Sequence, residues 1–481
     1  MSRRRVVVTG IGLISPLSIS VDGFWESLVS GHSGVRPYVP FGLASFPVSV
    51  AAPAMFNGDI DEFDAIDSTQ RKAIKKGLKL MSREIQMAVA ASSKALNHAE
   101  IYVGQLAPER VGISFGSDYI LTTVEDVIDA IRACSNLSEP NLSKLNLSES
   151  SLSEQSLTRS IGKFDFRLWG KEGLSKMQPL WQLKYLPNMP ASHIAILNNF
   201  HGPSNSITLR EASVGAVVGE SVSIIASGRT DVMIAGTTGG WLHPCKLISA
   251  LRNEELSDAA CCPFDLNRKG TTLGDGAAAI VLEEREHAKK RGVKIWCEIV
   301  AGSCKMKRDR QNTDYRRDVV RTVILDVLKY GALRRDDFAN KKFVENIENE
   351  SASKINDEIR EFAIDRIGHI NAHGLGSRES DKAEAMAIND VFGLRTEPIP
   401  VVAAKGFWGN AGAGTGMFEL IASILSLKMQ KFFPSINHKI SDPECPITIA
   451  DPSKHSTGDS FIKIALNPHG HASALLVKSD S

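Results

Sequence analysis

Short β-branched runs that stop at glycine, each followed by a helical stretch, recur from one end of the chain to the other. The opening VVVTGIGLISPL is one such run, broken by glycines and ended by proline, and reads as a buried strand entering a loop. Thr69 to Leu96 reads as a helix rich in good helix formers, and Arg110 to Ser117 as a second buried strand. Ser213 to Gly228 reads as a helix of small and apolar residues, with strands following at DVMIAGTTGG, Ala277 to Glu284 and KIWCEIVAG. A helix at Asp318 to Tyr330, the strand HINAHG, a helix at Asp381 to Phe392, the strand IPVVAAKG and a helix at Met417 to Met429 complete the order. Apolar runs without alternation are buried on both faces, and strands that alternate with helices need crossovers. The fold class expected is therefore α/β with buried sheets.

Composition narrows the function. The 481 residues suffice for two to four folded units, or for two large halves sharing an interface. Lys and Arg number 56 against 55 Asp and Glu, a net charge of +1, which argues against a broad nucleic-acid or anionic-membrane surface. The seven cysteines form no CxxC pair and are odd in number, so neither a disulfide framework nor a zinc site is expected. His438, His455, His469 and His471 match no metal-ligand spacing. The GxG of VTGIG lacks the third glycine of a dinucleotide fingerprint. No cofactor or metal is expected. No window approaches the roughly 18 apolar residues of a membrane span, and the first apolar run is broken too early by glycine for a signal peptide. A cytoplasmic protein is the expectation.

One segment departs from the α/β pattern. Residues 136–158 place leucine at 137, 142, 147, 152 and 157, a period of five. This is similar to a pentapeptide repeat, but so few repeats make little more than one coil; the simpler reading is a polar, low-complexity insertion. Arg308 to Arg317 and Lys341 to Glu358 read as charged surface loops.

Several motifs in one order carry a resemblance. These are VVVTGIGLISPL, FWESLVSGHSGVRP, PNMPASHIAI, GPSNSITLREASVGAVVGES, CPFDLNRKGTTLGDGAAAIVLEE, HINAHGLGSRESDKAEAMAINDVFG and AAKGFWGNAGAGTGMFEL. Together they resemble the β-ketoacyl-acyl-carrier-protein synthases over nearly the whole chain, apart from an insertion at about 118–180. The resemblance implies the thiolase-like five-layered αβαβα fold of two pseudo-symmetric halves, here 1–290 and 291–481. It also implies a homodimer or a heterodimer with an active ketosynthase, and an acyl-carrier-protein or acyl-CoA thioester as the partner of the site.

In that family a Cys at the start of a buried helix takes the acyl chain, and two histidines stabilise the enolate formed from malonyl-carrier protein. Here the Cys position holds Glu211, and the second histidine position holds Asn410. His373, Lys405, Glu419, Asp381 and Glu384 match the family's pattern. The two threonines that contact the carrier arm are Leu375 and Ser377, and the gating phenylalanine becomes Asn467 in LNPHGH. Glu211 can form a buried ion pair with His373, act as a general base, or simply favour a helix N-terminus. Lys405 and Glu419 are expected to pair, and Asp381 to cap a helix or bind a loop. Two functions follow from this resemblance, and a third from the 136–158 repeat. The first is a condensation-inactive partner similar to a chain-length factor. The second is an enzyme of altered chemistry, decarboxylating or hydrolysing thioesters. The third is a scaffold that recruits partners through 136–158.

Overall fold

The computed structural model describes residues 4–39, 48–65, 68–135, 164–253, 256–308, 314–333 and 364–480. The 136–158 repeat and the stretch Lys341 to Glu358 lie outside the described residues. Ten strands carry the architecture: β1 Val6–Ile14, β2 Val111–Ser117, β3 Ser204–Ile207, β4 Val232–Gly240, β5 Asp275–Glu284, β6 Cys297–Met306, β7 His369–Asn371, β8 Pro400–Val402, β9 Ser460–Leu466 and β10 His471–Lys478. Six helices go with them: α1 Arg83–His98, α2 Met189–Asn198, α3 Ser213–Ala226, α4 Tyr315–Leu333, α5 Arg378–Phe392 and α6 Ala413–Met429.

The two halves repeat one topology. The first runs β3-β2-β4-β5-β1 across its sheet and the second β8-β7-β9-β10-β6, which is the same order advanced by five strands. Pair directions also repeat: β2 is parallel to both β3 and β4, as β7 is to both β8 and β9, and the remaining neighbours are antiparallel. Each half is thus a βαβαβαββ unit. The sheets touch at one point, where Val7 and Val8 of β1 pair with Glu298 and Cys297 of β6.

Helices α3 and α6 lie between the sheets, with α1 and α2 outside the first and α4 and α5 outside the second. This is the αβαβα layering expected from the sequence. Every residue from Ala413 to Leu427 is buried. A helix buried on all sides has no solvent face to offer, and α6 takes the middle layer. The close approach of α1 to β1 depends on glycine: a Cβ on Gly12 would sit 2.1 Å from the Ala91 carbonyl oxygen, and one on Gly10 2.2 Å from that of Ala95.

The single helix read from Thr69 to Leu96 is in fact two. A first helix ends at Gly77, a 3-10 turn covers Leu78–Leu80, and Ser82 starts α1 by accepting from the Ile85 amide. Serine competes for backbone donors, so the N-cap chemistry at Ser82 outweighs the continuous helix propensity around it. Residues Ile120–Leu186 form a compact unit of their own. Within it, Lys184 pairs with Asp126 at 2.7 Å. Among the described residues no helix is long and apolar enough to cross a membrane.

Candidate functional site

Glu211 lies in a 3-10 turn, Arg210–Ala212, that leads directly into α3. The turn is built by local polar contacts and one strained residue. Ser213 accepts from the Leu209 amide at 3.0 Å, while Arg210 holds a left-handed backbone with φ of 52°. Non-glycine residues seldom adopt that conformation, so the surroundings must hold it. The Arg210 guanidinium stacks over the Trp241 ring at 4.5 Å and pairs with Glu211 Oε1 at 3.1 Å.

Glu211 is 2 % exposed. Its Oε1 also accepts from Asn410 Nδ2 at 3.0 Å, while Oε2 has no partner. Asn410 is committed on both sides: its Oδ1 accepts from the Gly412 amide at 3.0 Å and from Thr415 Oγ1 at 3.2 Å. Its backbone is clamped to the GTTLGD segment, donating to the Thr272 carbonyl and accepting from Gly274. Neither sequence pattern nor spacing pointed to Arg210, Trp241 or Asp118 as neighbours of this turn. Asp118 is buried, accepts from Ala413 N at 3.1 Å, and has its carboxyl pushed up, mainly by burial.

His373 follows β7. Its loop is braced from α5 by two buried carboxylates. Glu384 accepts from the His373 and Gly374 amides at 2.6 and 2.9 Å. Asp381 accepts from Gly376 N at 3.0 Å and Phe264 N at 2.9 Å. Burial pushes Glu384 up to about 7 and Asp381 up to about 6. Asp381 therefore binds the loop, whereas the N-cap of α5 is Ser377, whose hydroxyl accepts from Ser380 N.

Lys405 Nζ donates to Glu419 Oε1 at 2.6 Å, to the His373 carbonyl oxygen, and to His373 Nδ1 at 3.1 Å. An ammonium cannot accept, so Nδ1 is the acceptor and the imidazole proton sits on Nε2. Burial first, then the charges of Lys405, Lys463 and Arg210, pull His373 well below the usual histidine range. Here the structure corrects the expected ion pair between Glu211 and His373. A neutral imidazole offers no charge to a carboxylate, and Glu211 takes Arg210 and Asn410 instead.

Glu211, His373, Leu375, Ser377 and Asn467 line one cavity, together with Arg316 and Pro468. Its volume is about 120 Å³, against roughly 300–1,000 Å³ for typical small-ligand pockets. Asn410 and Lys405 stand behind Glu211 and His373 rather than in the lining. Asn467 is fixed in place. Its Nδ2 donates to the Leu209 carbonyl at 2.9 Å, and its Oδ1 accepts from His469 N and His471 N at 2.9 and 3.0 Å. Asn467 thus ties the β9–β10 turn to the Glu211 turn.

Comparison with known proteins agrees with this geometry. Residues 3–288 match the β-ketoacyl synthase N-terminal domain, and residues 326–439 the β-ketoacyl synthase C-terminal domain. The 3-oxoacyl-[acyl-carrier-protein] synthase 2 of Coxiella burnetii is 27% identical over 93% of this chain and 91% of its own. Among solved structures, the ishigamide ketosynthase/chain length factor superposes with a TM-score of 0.75 at 21% identity, covering 100% of both chains. A type II polyketide synthase acyl-carrier protein in complex with its ketosynthase bound to the hexaketide gives 0.71 at 21%, again covering 100% of both. Family models thus cover well over half of the chain, on the fold and in the motif order already described, and the chain belongs to the β-ketoacyl synthase family.

Proposed function

We propose that this chain is a condensation-inactive member of its family and serves as the partner subunit of an active ketosynthase, in the manner of a chain-length factor. The reading rests above all on Glu211 Oε1, which accepts from both Arg210 and Asn410. A carboxylate is a poor acceptor of acyl groups from thioesters, since its product would be a reactive anhydride. Asn410, at the position of the second histidine, directs its amide donor at this carboxylate. The small cavity and the pinned Asn467 support the same reading. A known structure that pairs a ketosynthase with a chain length factor has this fold, which supports a heterodimer more than a solitary subunit. The test is intact-protein mass after incubation with acyl-carrier-protein thioesters, followed by mixing with an active ketosynthase from the same source. No acyl adduct and a one-to-one complex are expected. An acyl mass gain, or lengthened β-keto products from this chain alone, would overturn the reading.

A second reading has one observation in its favour. Glu211 Oε2 is unpartnered, and Glu211 shares a cavity with His373. That arrangement suits a general base beside a hydrogen-bond donor, as in thioester decarboxylation or hydrolysis. Malonyl-thioester turnover that disappears in Glu211→Ala would favour it; absence of turnover in the unaltered protein would remove it. The scaffold role assigned to residues 136–158 concerns a segment outside the described residues.

A further inference from the structure

Glu419 on α6 is flanked by two lysines, not one. Lys405 Nζ lies 2.6 Å from Oε1, and Lys463 Nζ lies 2.7 Å from Oε2. All three side chains are at most 1 % exposed. Lys463 comes from the middle of β9, whose other residues after Ser460 are all apolar, and also donates to the Ile464 carbonyl oxygen. A buried lysine amid Phe461, Ile462, Ile464 and Ala465 is costly and calls for a physical reason.

We propose that Lys463 is a positioning residue for His373: by fixing Glu419 it fixes Lys405, and so holds the imidazole with its proton on Nε2, facing the cavity. The geometry runs in three steps. Glu419 Oε1 is hydrogen-bonded to Lys405 and Oε2 is in charge contact with Lys463 at 2.7 Å, so the carboxylate is held between the two lysines. Lys405 then has three acceptors for its three protons, namely Glu419 Oε1, the His373 carbonyl oxygen and His373 Nδ1. Nδ1 is thereby held as an acceptor, and Nε2 is left as the donor on the cavity side. Two ammonium groups against one carboxylate also leave a positive excess behind the ring, which opposes its protonation.

The other charged groups around His373 act less directly. Glu384 accepts from its backbone amide, Asp381 braces the same loop, and Arg210 and Glu211 face it from the turn ahead of α3. The site therefore presents a neutral hydrogen-bond donor, suited to a ligand carbonyl or anionic oxygen, and no base at position 373. This inference deepens the reading of the cavity proposed above but does not depend on the chain's partner, so the pairing experiment and the following one fail separately.

The test is ¹⁵N histidine-labelled full-length protein, with the His373 signals assigned by His373→Gln and followed by nitrogen–proton correlation spectra from pH 8 to pH 5. The unaltered chain should show one neutral Nε2–H tautomer throughout. Lys463→Met should bring in the Nδ1–H tautomer, or a titration of His373 inside that window, and Lys463→Arg should restore the original pattern. Glu419→Gln, which cuts the link between the lysines, should give the same mixture as Lys463→Met and serves if that variant does not fold. A charged or Nδ1–H ring at pH 7 in the unaltered protein would overturn the proposal. So would variants that melt earlier but leave the tautomer unchanged.

Discussion

At the scale of single residues, the Glu211 carboxylate is held by two donors, Arg210 and Asn410, on one oxygen. Removing the side chain deletes the acceptor of two donors. Glu211→Ala should therefore cost about 1–3 kcal/mol, read by urea unfolding, and Glu211→Gln, which keeps one acceptor, should cost less. Asn467 carries a comparable burden with three backbone contacts. Asn467→Ala should cost about 2 kcal/mol and speed amide exchange at His469 and His471. His369 allows a test by pH. Burial pulls it down to about 4 from 6.5, so its contribution to stability is complete above pH 6.5 and is lost as pH falls toward 4. Asp381 and Glu384 act with the opposite sign. Their folded pKa values are raised to about 6 and about 7, so their contribution is present at low pH and is lost as pH rises through those values. His373, also pulled down by burial, acts with the same sign as His369, and the two sets oppose each other between about pH 4.5 and 6.5 in the unaltered protein. His369→Gln should tilt the balance, so that urea midpoints fall with rising pH across that range.

At the scale of elements, the site exists because loops at the ends of strands from both halves meet across the two middle helices. The Glu211 turn opens α3, and the Asn410 loop opens α6. The fit is close at the end of β4, where a Cβ on Gly239 would lie 2.0 Å from the Ala411 carbonyl oxygen. Gly239→Ala should push the Asn410 loop away and destabilise the fold by about 1–3 kcal/mol. It should also weaken the hydrogen bond from Asn410 to Glu211, seen as a shift of the Asn410 side-chain amide resonances. The β9–β10 turn is the third loop, and its link to Leu209 fixes the distance between the halves at the cavity.

At the scale of the whole molecule, the repeated βαβαβαββ halves supply the frame, and the unit Ile120–Leu186 is carried as an addition to it. The points where the chain leaves and re-enters the frame are adjacent, since Ser117 Oγ donates to the Pro187 carbonyl at 2.8 Å. Replacing residues 120–186 by a short Gly/Ser link should therefore leave a soluble protein with one cooperative unfolding transition, monitored by circular dichroism. Loss of that transition would show that the addition is needed for the frame to fold.

The sequence by itself pointed to an α/β chain of buried strands alternating with helices and, through the order of its motifs, to the family. Apolar runs without alternation read as strands buried on both faces, and strands alternating with helices read as α/β. What Glu211 touches was decided by the tertiary structure alone. Its partner Asn410 lies 199 residues away, and its neighbour Arg210 is turned toward it by a left-handed backbone and a tryptophan. Lys463 was equally hidden, because one lysine in an apolar run looks like a strand edge until a buried carboxylate is found opposite it. Side-chain identity limits which bonds are possible. Which of them form depends on the packing of two halves whose contacting residues are far apart in sequence, and no local pattern encodes that distance.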